Sequence, residues 1–242
     1  MPSMQIHRIL QSQGFGSRRE SRALVRSGLV AVDGQVIDDP FAEFEPEGFA
    51  FTVDGEPWEY RAKAYLMLYK PAAHECTRKP EFYPSIFSLL PEQLAERGVQ
   101  PVGRLDQDTT GLLLLSDDGQ FIHTWSSGKK KIPKRYRVEL KHAHTPELID
   151  ALLGGVQLHD EPAPIAAAAI EVIDATHLWL TITEGKYHQV KRMVAAAGNR
   201  VEGLHRHSVG GLALPEVLEP GDWAWMTDKH FAALADYPHG DD

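Results

Sequence analysis

The 242-residue chain has a single cysteine, Cys76. A lone thiol excludes an internal disulfide and any thiolate metal cluster, and it fits a reducing compartment. Long apolar runs are missing too. No stretch reaches the roughly 18 uninterrupted residues of a membrane span, and the opening MPSMQIHRIL has no signal-peptide core. The cytoplasm is the expected location, with no membrane partner. Dinucleotide and P-loop fingerprints, an H-E-x-x-H pair and calcium loops are absent as well. The pairs His142/His144 and His205/His207 lack further ligand-type neighbours and read as surface or supporting histidines. Chemistry with no cofactor and no metal is expected. Without a repeat or a heptad pattern there is no signal for a solenoid or a coiled coil, and a monomer is expected.

Positive charge is scarce overall, with a net charge of -9, which on its face argues against a nucleic-acid partner. The deficit is uneven. Residues 1–37 hold five Arg against one Glu and one Asp, a local +3, and the remainder carries -12. A basic binding module on an acidic body gives this pattern. Within the module, Ile6, Ile9 and Leu10 recur at helical spacing until Gly14-Phe15-Gly16 stops them. Ser17-Arg18-Arg19-Glu20 opens a second helix as a capping box, and Gly28 ends it. Along that helix Arg18, Arg22 and Arg26 fall at i, i+4 and i+8 with Arg19 beside them, while Leu24 and Val25 are left to pack. A hairpin around Asp33-Gly34 follows. Unbalanced arginine on so small a unit is best explained by phosphate, since each guanidinium can fork onto two oxygens.

From Asp38 to Lys63 the chain turns to acid, Pro and Gly; FAFTV is expected to complete the module's sheet and the rest to connect. Strand patterning resumes at Tyr65. Residues 103–119, GRLDQDTTGLLLLSDDG, bracket Leu112 to Leu115 with turn residues, the mark of a strand buried on both faces. Asp106 stands near its entrance, either closing the turn Gln107 to Gly111 or presented by a rigid strand to a substrate. Period-two alternation turns Tyr136, Val138 and Leu140 inward, and likewise Leu178, Leu180 and Ile182. In EGKYHQVKRMVAAAGN the stripe Val190, Met193, Val194 and Ala197 predicts a helix. Lys191 lies on the flank of its buried face, able to reach a partly buried carboxylate, and Arg192 nearly opposite, where it can meet phosphate. Lys129, Lys130, Lys131, Lys134, Arg135 and Arg137 place six cations in nine residues, an RNA-facing loop on an acidic body.

The run GSRRESRALVRSGLVAVDGQVI resembles an S4 domain, an RNA-binding fold of two helices and a hairpin. Arg18, Arg19, Arg22 and Arg26, with Lys129, Lys130 and Lys131, are then the expected RNA contacts. The body resembles the pseudouridine synthase family, through Lys70-Pro71, GRLDQDTTGLLLLSDDGQ, Lys134 to Tyr136, EGKYHQVKRM and LHRHSVGGL. The likeness implies an α+β protein, with an S4-like domain and linker over 1–60. Over 61–242 it implies a catalytic domain built on a mixed, mainly antiparallel sheet with flanking helices. It implies that Asp106 is the essential catalytic residue, Tyr136 the base-stacking tyrosine and Lys191 the basic partner of Asp106. Arg104, Leu204, Lys70, Arg192 and Lys134 are expected at the substrate, with Leu204 against the ring. Arg104 either fills the space a flipped base vacates or binds phosphate, or else it bridges to Asp108. Tyr69 and Ala73 depart from the family's usual Asn and Gly, which touches a local turn and not the chemistry.

The reaction implied is an isomerisation of a flipped-out uridine, in which the N1–C1′ bond breaks and C5 bonds to C1′. GVQLHDEP and TEGKYHQVKRMVAAAGN draw the likeness toward members acting on small-subunit ribosomal RNA. That RNA is the expected partner, naked or in a partly assembled particle. The readings weighed against this one are a large-subunit ribosomal RNA target, a non-catalytic RNA-binding assembly factor, and a glycosidase using Asp106 and Asp108 as acid and base. An assembly factor predicts damage at Asp106, Tyr136 or Lys191, and all three are present.

Overall fold

Ile6, Ile9 and Leu10 are fully buried in the computed structural model, which describes residues 2–238. They form the inner stripe of α1 (Ile6–Ser12), entered from the short strand β1 (Met4–Gln5). At the start of α2 (Arg18–Arg26) the Glu20 amide donates to Ser17 Oγ and the Ser17 amide to the Glu20 carboxylate, so the capping box forms as read. β2 (Val30–Val32) and β3 (Gln35–Val36) turn through Asp33 and Gly34, both at positive φ, as a two-residue primed turn requires. β4 (Glu43–Phe44) pairs with β1, while β5 (Ala50–Val53) and β6 (Glu56–Glu59) complete a sheet of order β3-β2-β5-β6. Phe51 and Val53 join Val25, Val30 and the α1 stripe in one core.

FAFTV joins the module's sheet as expected, and the connector beside it supplies two further strands, β4 and β6. Its acidic, Pro-containing composition hides an edge strand anchored on one side, where Trp58 packs edge-on against Phe15 at 5.3 Å and donates to Gln13 Oε1. This unit runs to Ala64 and also takes in Leu90–Gln100, which holds α3 (Glu92–Glu96). Arg97 ties the distant segment in by donating to Gln13 Oε1 and to the Arg61 carbonyl, each at 3.0 Å.

The second unit is Tyr65–Leu89 with Pro101 onward. It begins with β7 (Tyr65–Lys70), and β8 (Gln100–Pro101) leads the chain back into it. The rest alternates strand and helix: β9 (Thr110–Ser116), α4 (Gly119–Ser126), β10 (Lys134–Leu140), α5 (Pro146–Gly154), β11 (Ala169–Val172) and β12 (His177–Ile182). α6 (Gln189–Ala196), β13 (Val201–Val209), β14 (Leu212–Ala213), β15 (Trp223–Trp225) and α7 (Asp228–Ala235) follow. The sheet runs β11-β12-β10-β13-β9-β7-β15 and is antiparallel along this path except where β13 meets β9. This is the α+β architecture expected, with a mixed and mainly antiparallel sheet. Leu112 to Leu115 are at most 1% exposed, as the doubly buried strand requires. Among the described residues no helix is long and apolar enough to cross a membrane.

The parallel join is the tightest point of the sheet. Gly111 sits opposite Arg206 at φ +109, and a Cβ there would overlap the Arg206 carbonyl. The Arg206 guanidinium closes the same join, its Nε donating to the Leu112 carbonyl at 2.8 Å. Gly111→Ala is expected to cost about 2 kcal/mol through backbone strain and forced strand separation. Urea unfolding of this variant checks it, and an unchanged midpoint would refute so close an approach.

Candidate active site

Asp106 lies in the loop that leads into β9, and Lys70 holds that loop from beneath. Its ammonium is fully buried and donates to the carbonyls of Pro71, Gln107 and Thr109 at 2.9, 3.1 and 2.8 Å. Burial drives its pKa below the usual lysine range. The expectation that Lys70 binds substrate is corrected by this geometry. Three converging carbonyls satisfy all three ammonium protons, so the side chain braces the loop instead.

The turn-closing alternative for Asp106 occurs, and it uses the main chain. Its main-chain carbonyl accepts from the Thr109 amide at 3.1 Å and closes the turn. Its carboxylate turns away, with Oδ2 2.9 Å from Lys191 Nζ and Oδ1 3.1 Å from His188 Nε2, and stays 25% exposed. Lys191 also donates to Asp108 Oδ1 at 2.7 Å. Burial pulls the Lys191 pKa down, but its hydrogen bonds and charge contacts with Asp108 and Asp106 outweigh this and hold it above its ordinary value. For Asp108 burial pushes upward and the Lys191 contact wins, holding the carboxyl low. Two carboxylates thus share one cation. Held low, the Asp108 carboxyl is no general acid at neutral pH, which weighs against the glycosidase reading. The bridge from Arg104 to Asp108 does not form, since Lys191 has taken the Asp108 carboxylate.

A cleft of about 520 Å³ gathers Asp106, Tyr136, Lys191, Arg104, Leu204 and Lys134. That volume suits a ligand of nucleoside size. Tyr136, 7% exposed, comes from β10, and Leu204 from the adjoining β13. Arg104 is exposed. Arg192 stays out of this group because it is already engaged, donating to the Asp160 carboxylate and, at 3.0 Å, to the Tyr187 carbonyl. The solvent-facing phosphate contact expected of it is corrected accordingly. Lys129 and Lys130 lie on an exposed 3₁₀ turn, Gly128–Lys130, with Lys131 following in the left-handed region at φ 46. Cys76 also lines the cleft, but burial raises its thiol pKa, so it is no nucleophile at neutral pH.

Two residues of the site escape the sequence reading. Arg206, 3% exposed, lines the cleft from β13, and period-two spacing from Leu204 was the signal that could have found it. His188 gives no such signal. It caps α6 in the left-handed conformation, φ 48, and only that backbone state aims its ring at Asp106.

The loop aspartate, the helical lysine it pairs with and the tyrosine on β10 all fall within one family match. The RNA pseudouridylate synthase profile matches residues 64–196, more than half of the chain. The chain belongs to this family. Residues 4–41 match the S4 domain, so the pseudouridine synthase carries an RNA-binding module. It is 41% identical to ribosomal small subunit pseudouridine synthase A of Vibrio parahaemolyticus, over 88% of this chain and 91% of that one. An uncharacterized RNA pseudouridine synthase of Bacillus subtilis is 39% identical, over 96% and 98%. Among solved structures, a crystal structure of a pseudouridylate synthase superposes with a TM-score of 0.68 at 33% identity, covering 96% of this chain and 100% of that one.

In this pseudouridine synthase Lys134 is the most perturbed cation of the cleft. Burial and then the Arg206 charge lower its pKa to about 8, against partial support from Glu184. The unfolded chain holds this proton up to about 10.5, so folding is penalised most below pH 8, and stability from this group rises between pH 8 and 10.5. The full displacement is worth about 3 kcal/mol. Lys134→Met, which also gives up hydrogen bonds to the Ile132 and Glu184 carbonyls, is expected to be roughly 2 kcal/mol more stable at pH 7. That gain should vanish by about pH 10.5. Denaturant melts across this range check it; a gain that does not change with pH would disprove the titration.

Proposed function

We propose that this pseudouridine synthase converts a uridine of small-subunit ribosomal RNA, with Asp106 as the essential carboxylate. The observation that carries the reading is the Asp106 side chain, partly exposed in a nucleoside-sized cleft and held by the Lys191 ammonium at 2.9 Å. Relatives in Vibrio parahaemolyticus and Escherichia coli that are named for the small ribosomal subunit, 41% and 36% identical over most of the chain, support the choice of RNA.

The target base leaves its stack and enters the cleft, where Tyr136 stacks on the ring and Leu204 packs against it. Arg104, exposed beside Asp106, takes the vacated place or a neighbouring phosphate. The reaction breaks the N1–C1′ bond and forms C5–C1′, and the hydrogen displaced from C5 is replaced by one on N1, so composition is conserved and no co-substrate is required. A carboxylate serves this either by attack on carbon or by removal of a sugar proton. Both use a carboxylate oxygen, and Lys191 Nζ orients one of the two at 2.9 Å. Arg18, Arg19 and Arg26, exposed on α2, hold phosphates, and Lys129 to Lys131 do so from the loop before β10, while Arg22 is half-buried against Phe41. The enzyme acts in the cytoplasm, where this RNA is made and assembled.

The test is to incubate the purified protein with small-subunit and large-subunit ribosomal RNA transcripts and map pseudouridine in each. Conversion of one small-subunit uridine is expected. Conversion confined to the large-subunit RNA would overturn the choice of target, and tight binding without conversion would favour an assembly factor.

A further inference from the structure

Tyr187 is 75% exposed at the edge of the cleft. A single exposed ring means little by itself. This one is stacked on one face and its backbone is anchored. Its ring lies on that of His188, with centroids 3.8 Å apart and planes 18° from parallel. Its carbonyl accepts from Arg192, which in turn pairs with Asp160. On the other side Lys186 pairs with Glu161 at 2.5 Å, and its amide donates to Gln189 Oε1. One face of the Tyr187 ring is therefore covered by imidazole, and the other is presented to solvent beside the catalytic carboxylate on an anchored backbone.

We infer that Tyr187 is a stacking platform for a second nucleobase, that of the nucleotide next to the flipped uridine. A flat, pre-positioned ring with one free face suits an unpaired base of any identity, because every base offers a π-face. The place is right as well. The target nucleotide occupies the cleft that Tyr187 borders, and the chain must leave that cleft past its rim. Stacking also has a route to the chemistry: the base rests on Tyr187, Tyr187 on His188, and His188 Nε2 lies 3.1 Å from Asp106 Oδ1.

This inference rests on the cleft taking a flipped uridine. Its probe is a short synthetic RNA centred on whichever ribosomal uridine the mapping identifies, so a large-subunit target changes the probe and leaves the inference standing. Versions with an abasic residue on the 5′ or the 3′ side are compared by equilibrium binding to the wild type, Tyr187→Phe and Tyr187→Ala. One abasic position is expected to weaken the wild type and Tyr187→Phe about tenfold. Tyr187→Ala should lose about tenfold on intact RNA and almost nothing more on that abasic RNA, since ring and base form one contact. Losses that multiply, or an abasic residue that costs the wild type nothing on either side, would show that the ring merely props His188.

Discussion

Asp106→Asn is expected to lower single-turnover pseudouridine formation by at least about three orders of magnitude while RNA affinity changes less than about twofold. The asparagine amide keeps the size and hydrogen-bonding reach of the carboxylate but has neither a nucleophilic oxygen of comparable strength nor a basic one. The surroundings tolerate the change. Lys191 retains Asp108 at 2.7 Å, and the amide oxygen can still accept from the loop's neighbours. Nothing in the substitution touches the arginines of α2 or the lysines before β10. Conversion followed with saturating enzyme, alongside equilibrium binding of the same RNA, separates the two effects. Turnover near the wild-type rate would reject Asp106 as the reacting group.

The second large effect is on binding. Arg18, Arg19 and Arg26 are exposed on α2, while Arg22 is half-buried with its guanidinium 4.9 Å from the centre of the Phe41 ring. The stripe read at i, i+4 and i+8 is therefore not uniform. The one acid within it, Glu20, is spent on the helix cap, and that leaves the exposed guanidinium groups for phosphate. Replacing Arg18, Arg19 and Arg26 together by Ala is expected to lower the slope of log affinity against log salt by roughly 2 to 3 and to weaken binding on the order of a hundredfold at physiological salt. Arg22→Ala acts differently: it removes a cation–π contact worth roughly 1 kcal/mol and destabilises the small unit. Titrations at several salt concentrations decide the matter. An unaltered slope in the triple variant would place RNA on another surface.

Much of the site was legible because its supports are local. Tyr136 follows from a period-two strand, and Lys191 from the flank of a helix whose apolar stripe includes Val190, Met193 and Val194, whereas Leu204 came from the family likeness. The corrections at the site concern charge. Lys70 carries the same sequence signal as a substrate-binding lysine, yet three carbonyls, two of them from residues near 108, capture its ammonium. Arg192 reads as a free cation until Asp160, 32 residues earlier in the chain, is brought to it. The segment Leu90–Gln100 carries no mark that it belongs with the first 64 residues, since the Arg97 contacts that place it span 84 and 36 positions.

By itself the sequence determined α1, α2, α6, the alternating strands and the capped turn, because each rests on spacing within a few residues and on the rule that apolar faces leave water, while Asp106 was singled out through the family likeness. Tertiary structure alone decided which cation meets which anion. Lys191 and Asp108 stand 83 positions apart, and a charge takes whichever partner the packed chain delivers within about 3 Å. It likewise decided that His188, through one left-handed residue at the start of α6, would point at Asp106.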